Sequence, residues 1–551
     1  MRAQRKKGGL KVYAVSGSHV VLLGIHLPEE ECEGLLGFSV LREDHTEGER
    51  YYLKASKVFE ETDPRLKPGT QYSTHKFPIQ SFQWADYSAK PGYAYTYEVS
   101  ALKGTPAHLT VYATVRVAIR TEKEEDVGHN VFFNRGSAAS QEYVRRFGDV
   151  SPKDVPDNRA FEWLSRGAYE ALVSFVESCG PEHSLRIAAY EFHYRPFLEV
   201  IGKAMERGVD VRIVYDGRKE YPRLINEAAI RETGLASCCT PRLNGKSCIS
   251  HNKFILKLER GRPVSVWTGG MNFSEGGIFG HSNVAHVVNN PAIAERYARY
   301  WEALRSDPEN GPMKKRVEEI TPAFALPFRE EEMVVFSPRT GMEVLENYAG
   351  MARSARHALF MTFAFGMNEE FRKVYQTART PLRYALMEKA CMAGKDREKF
   401  EREKKEIEAI RRKKENVFAI GNMIRTNRFD GWLRERLTGL NSNVKYIHNK
   451  FMLIDPLGKN PIVVTGSANF SVASTKNNDE NMVIVRGNQR VADIYLGEYM
   501  RLFSHYSFRE SLQWRDPLEK PKYLRTDDWW KDYFRDNARG ARRKYFAQVS
   551  E

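Results

Sequence analysis

Two decapeptides, ISHNKFILKL at 249–258 and YIHNKFMLID at 446–455, constrain this chain more than any bulk property. The same His-Asn-Lys-Phe core returns after 197 residues, so the chain has to place one local structure twice. In an extended strand, side chains two apart point to the same side. His251 and Lys253 are therefore expected on one face, as are His448 and Lys450, with the intervening apolar residues turned into a core. Downstream, TGGMNFS sets Gly270 and Asn272 in the same period-two relation, and TGSANFS does so for Ser467 and Asn469. A polar residue follows each Asn after a further eleven positions: Asn283 in the first copy and Glu480 in the second. A lone His-x-Lys is usually a satisfied surface pair. Two copies with matched followers are a duplicated site.

The texture of the chain around the motifs agrees with duplication. Residues 1–122 read as short strands such as HVVLLGIHL and LTVYATVRVAI, broken by Pro, Gly and charged turns, which predicts an antiparallel sandwich. The stretch KPGYAYTYEVSAL resembles the Pro-Gly turn and Tyr-rich strand of a fibronectin type III module. After RTEKEEDVGH, helical and strand-like periods alternate, the signature of a sheet covered by helices. VFFNRG is echoed by VVFSPRTG, so we expect two α/β halves, 127–325 and 326–510. Within the second, 395–416 reads as a charged helical insertion, since seventeen of its twenty-two residues are charged and only Phe400, Ile407 and Ile410 offer an apolar seam. The tail, 511–551, mixes aromatic and basic residues and contains a Trp pair expected to dock on the body.

The paired motif, His-x-Lys-x4-Asp followed by Gly-Gly/Ser-x-Asn, resembles that of the phospholipase D superfamily. The second copy is complete, with His448, Lys450, Asp455, Ser467, Asn469 and Glu480; the first has Leu258 at the Asp position and Gly270 at the Ser position. The resemblance implies two mixed-sheet halves related by a pseudo-twofold axis, converging on one phosphate. It also implies that the acidic or amide residue of each half orients the histidine of the other, Glu480 holding His251 and Asn283 holding His448. Lys253, Lys450, Asn272 and Asn469 would stabilise the charge spread over the phosphoryl oxygens, one His would form a phosphohistidine, and the other would act as acid and base. No cofactor and no metal is called for.

Net charge of +14 and a pI near 9.2 favour polyanionic partners, nucleic acid or an anionic membrane surface, without choosing between them. Cys32, Cys179, Cys238, Cys239, Cys248 and Cys391 lack paired ligand spacing, which argues against a zinc ribbon or a disulfide framework. The stretch MRAQRKKGGLKVYAVSG lacks the apolar run of a secretory signal and no apolar run approaches about 18 residues, so neither export nor a membrane-spanning helix is expected. These features predict a cytoplasmic phosphodiesterase, monomeric with an internal pseudo-dimer. Its first substrate reading is a phospholipid headgroup, hydrolysed or transferred to an alcohol; nuclease or nucleic-acid end-processing activity and an inactive binding scaffold are the alternatives.

Overall fold

A computed structural model describes residues 1–66, 70–136, 141–148, 150–245, 248–391, 396–421, 446–513 and 523–549. Among the described residues, the first 120 form two four-stranded antiparallel sheets and a short two-stranded one, Lys54–Ala55 with Tyr72–Ser73. Arg2–Lys7, Leu10–Ser16, Val21–His26 and Gln83–Asp86 make one four-stranded sheet, and His108–Arg120, Ala94–Thr105, Gly37–Asp44 and Glu49–Tyr52 the other. Alternating residues such as Leu10, Val12 and Ala14 face Val99 and Val117 in the core between them. Trp529 and Trp530 of the tail enter that same core, and Trp529 Nε1 donates to Leu35 O at 2.7 Å. The helix Ala538–Ala547 continues the docking, its backbone lying so close to Gly24 that a Cβ there would overlap Phe546 O.

The body consists of two seven-stranded mixed sheets of the same order. In the first, His129–Phe133, Val284–Val288, Arg262–Gly269, Lys253–Glu259, His183–Ala189, Asp210–Asp216 and Cys239–Arg242 lie side by side. In the second the corresponding strands are Glu332–Ser337, Glu480–Arg486, Ile462–Gly466, Phe451–Ile454, Ala358–Phe363, Leu382–Met387 and Asn416–Ile420. The last three strands of each sheet are mutually parallel and the others antiparallel. Parallel strands have both faces covered, which is why ALFMTF and LRYALM are buried throughout despite containing Thr362 and Arg383.

The helices Pro291–Arg305 and Gln489–Gln513 follow equivalent strands and lock the halves together. Tyr297, Tyr300 and Trp301 of the first pack on Phe254 of their own half and on Phe336 and Val483 of the other. Tyr495, Tyr499 and Phe503 of the second reach Phe133 in the first half and Val15 and Leu22 in the sandwich.

One sequence expectation is revised. The charged helix, Arg397–Arg411, joins the parallel strands Leu382–Met387 and Asn416–Ile420, just as Glu220–Glu232 joins Asp210–Asp216 to Cys239–Arg242. It is a crossover helix of the fold and not an insertion. Ile407 and Ile410 are buried, and Arg372 Nε meets Glu406 at 2.9 Å, so the charge-rich composition hides a docked face. The extra length of the second half falls instead between Gly421 and Tyr446. That stretch, residue 395 and part of the tail lie outside the described residues.

Candidate active site

The His-x-Lys pairs sit at the mouths of strands, not within them. His251 precedes the strand that begins at Lys253, and His448 precedes the one that begins at Phe451. Each approach segment is bonded to the opposite half. His251 N donates to Asp479 O at 2.9 Å and Asp479 N to Ile249 O at 3.0 Å; His448 N donates to Ser282 O at 3.1 Å and Ser282 N to Tyr446 O at 2.9 Å. These reciprocal bonds lie about an internal dyad and bring the two imidazole rings to a centroid distance of 6.5 Å.

The ring anchors come from across that dyad. His251 Nδ1 lies 2.9 Å from Glu480 Oε2, and His448 Nδ1 lies 3.0 Å from Asn283 Oδ1. Asn283 Nδ2 donates to Gly277 O at 2.7 Å and lies 2.9 Å from His281 Nδ1. Its oxygen is thereby left to accept from His448 Nδ1–H. Glu480 is fixed by Ser467 Oγ at 2.7 Å and Ser474 Oγ at 3.0 Å. Its neighbour Asp479 is clamped by two arginines of the first half, Arg218 and Arg242, the latter at 3.0 Å. Both lysines are held alike: Lys253 Nζ donates to His251 O and Lys450 Nζ to His448 O, each at 2.6 Å.

Every group in this cluster is removed from water, and the cationic forms suffer for it. Burial pulls the Lys253 ammonium down to about 7, against the attraction of Glu480, Glu191 and Asp216. Lys450 is driven well below the ordinary lysine range by burial and by Lys253. His251 is lowered by burial, with Glu480 opposing the shift. His448, whose anchor is an uncharged amide, is lowered much further by burial and by Lys450, His281 and Lys253. Among the described residues, the Oδ1 atoms of Asn272 and Asn469 have no hydrogen-bond partner. An anion drawn into the cluster would favour the charged forms of these lysines and histidines that burial suppresses.

Gly270 and Ser467 hold equivalent places with different consequences. Ser467 bonds Glu480, whereas a Cβ at Gly270 would come within 3.0 Å of Asn283 Oδ1. Replacing Gly270 by alanine should displace the Asn283 amide by a few tenths of an ångström and lower kcat about tenfold without unfolding the protein, read by steady-state rates beside thermal melts. Gly277 is constrained similarly, since a Cβ would fall 2.6 Å from Asn272 O.

The structure thus gathers His251, Lys253, Asn283, His448, Lys450, Ser467 and Glu480 at one dyad, with Asn272 and Asn469 two residues beyond Gly270 and Ser467. Asp455 stands apart: its carboxylate accepts from the backbone N–H groups of Arg356, His357 and Ala358 at 2.7 to 2.9 Å. It is a loop anchor, and Leu258 shows that the first half does without one.

Sequence reasoning missed several neighbours. His281 stacks on His448 with centroids 4.4 Å apart, and burial lowers it to about 4. Tyr190 meets His251 edge-on at 4.9 Å and lies 5.2 Å from Lys253 Nζ. Glu191 accepts from Ser274 Oγ at 2.6 Å. The signal for His281 was positional: it precedes Asn283 by two residues, as Asn478 precedes Glu480.

The family described as "Cardiolipin synthase, PLD-like domain" matches residues 174–305 and 402–502, one segment in each half. No curated protein matches the chain. Among solved structures, Nuc from Salmonella typhimurium, a phospholipase D family member, is 29% identical over 25% of this chain and 87% of its own, with a TM-score of 0.22. Phosphatidylserine synthase from Haemophilus influenzae is 11% identical over 64% and 88%, with a TM-score of 0.42. Yeast tyrosyl-DNA phosphodiesterase is 11% identical over 58% and 88%, with a TM-score of 0.34. Residues 174–305 and 402–502 are thus similar in sequence to a phospholipase D-like domain.

Proposed function

We propose that the chain cleaves a phosphodiester through a covalent phosphohistidine on His251. The observation that carries the reading is the asymmetry of anchors, a carboxylate behind His251 and an amide behind His448, on rings 6.5 Å apart. Both anchors fix a tautomer, but only the carboxylate stabilises positive charge on its ring. His251 Nε2 attacks phosphorus while Nδ1–H is retained by Glu480. His448 gives its Nε2 proton to the leaving oxygen, then takes a proton from the incoming water or alcohol as the P–N bond breaks and its electrons return to His251. Lys253 and Lys450, with Asn272 and Asn469, meet the equatorial oxygens. The bound phosphate, by its charge, raises the suppressed His448 and lets it carry the proton it must donate.

Two substrate classes fit this chemistry. Phospholipid headgroup hydrolysis or transphosphatidylation is supported by the description of the matching family. Cleavage of nucleic acid is supported by the net charge of +14, which attracts a phosphate backbone. Purified protein offered phosphatidylcholine vesicles, plasmid and single-stranded DNA separates them by headgroup release or strand scission. Because the lysines supply the positive charge, turnover should persist in chelator and be inhibited by vanadate or tungstate. Silence on all three substrates and on a chromogenic diester would sink the enzymatic reading.

A further inference from the structure

The echoed stretches VFFNRG and VVFSPRTG differ at a buried position that the His-x-Lys motifs leave unexplained. Asn134 directly follows the strand His129–Phe133, and by register its counterpart in the second half is Ser337: Phe133 pairs with Val284, next to Asn283, and Phe336 pairs with Asn481, next to Glu480. Asn134 is fully buried. Its side chain is turned into the segment Ile278–Asn283, donating from Nδ2 to Ile278 O at 2.7 Å and to His281 O at 2.9 Å, and accepting from Asn283 N at 2.8 Å. A primary amide carries two N–H donors and an acceptor oxygen, and this buried turn presents two carbonyls and one N–H, so each finds a partner. Two residues on, Gly136 lies in the left-handed region at φ +55° with its backbone against the same segment, where a Cβ would fall 2.4 Å from Ser282 N.

What this amide holds is the tripeptide that meets His448. Ser282 O accepts from His448 N at 3.1 Å, Asn283 Oδ1 lies 3.0 Å from His448 Nδ1, and the His281 ring stacks on that of His448 at 4.4 Å. Backbone, ring nitrogen and ring face are thus set by three consecutive residues, which Asn134 sets in turn. The two halves differ in how their anchors are secured. Glu480 is bonded through its own carboxylate by Ser467, at the end of the neighbouring strand, and by Ser474. Asn283 Nδ2 bonds Gly277 O and His281 Nδ1 within its own turn, so the turn itself has to be fixed from outside.

We propose that Asn134 is a positioning residue for His448, a role that rests on the reading of that histidine as acid and base. Fully buried, it acts through His281, Ser282 and Asn283.

The test uses the full chain with N134D and N134A, their folding checked by thermal melts. Aspartate preserves the shape and can still accept from Asn283 N, but it brings no amide to the two carbonyls. A displacement of about 1 Å in a catalytic group costs on the order of 10²-fold in rate. p-Nitrophenolate departs without a proton, so with bis(p-nitrophenyl) phosphate and excess enzyme its first-turnover release should stay within about threefold of wild type in both variants. Steady-state turnover, which needs His448 as base, should fall at least about tenfold. Equal losses in both phases mark a residue with only a structural role and overturn the proposal, as does turnover within about twofold of wild type in N134D. A wild-type protein that cleaves no diester removes the catalytic reading, and spectra of protein carrying isotope-labelled histidine then decide the positioning alone. The His448 ring signals should shift in N134D while those of His251 stay in place; a shift shared equally by both rings, or by neither, overturns it.

Discussion

Alanine at position 251 should abolish turnover, by at least about 10⁴-fold in kcat, while the melting temperature stays near that of the wild type. His251 contributes little to packing: its ring lies in a polar cluster, edge-on to Tyr190, and its principal bond is to Glu480. The decisive measurement is the position of the trapped phosphate. Labelled substrate quenched in denaturant should leave acid-labile phosphate on His251, and the H448A variant should accumulate it from a diester whose leaving group departs without protonation, such as p-nitrophenolate, since the second step then lacks its base. Label recovered on His448 would exchange the two roles. Near-normal rates in H251A would remove the nucleophile altogether.

Glu480→Gln should cost about 10²- to 10⁴-fold in kcat, by analogy with loss of the orienting carboxylate in hydrolytic triads. Glutamine can still accept from the imidazole N–H, and it preserves the reach to Ser467 and Ser474. What it loses is charge. In the free enzyme burial lowers the His251 pKa and Glu480 opposes that shift. Neutralising residue 480 therefore lowers it further. Because attack needs the unprotonated ring, kcat/KM falls as pH drops through that pKa, so the acidic limb of the profile should move to lower pH in E480Q. A residue serving only packing would reduce activity without moving the limb, and an unmoved limb would argue against electrostatic support of His251.

The parts of the molecule legible in its sequence were those written twice. The repeated motifs, the eleven-residue spacing to Asn283 and Glu480 and the alternation of helix and strand led to two like α/β halves, because repetition separates a constraint from chance, while the shared dyad and its crossed anchors followed from the resemblance to the phospholipase D superfamily. Features written once were harder. Arg397–Arg411 looked like an appended arm because composition reports average solvation, whereas two isoleucines and one well-placed ion pair decide whether a helix docks. Glu191 and Tyr190 close a strand that reads as core, and only tertiary packing turns them toward Ser274 and His251. The strand-face argument for His251 and Lys253 reached a sound grouping by an inexact route. The histidines lie ahead of their strands, held by bonds from the opposite half, and no local periodicity could report that.

The mismatch between Asn283 and Glu480 gives an otherwise twofold pocket a direction. With interchangeable anchors, a diester could enter either way round and lose either of its ester oxygens. With His251 as the proposed nucleophile, unequal anchors would make the two ends of the substrate inequivalent: the bond that breaks would point toward His448, and the fragment retained on the enzyme toward His251. A single amide–carboxylate difference would then set which product departs first, and a polymer threaded through such a pocket would be cut with one polarity.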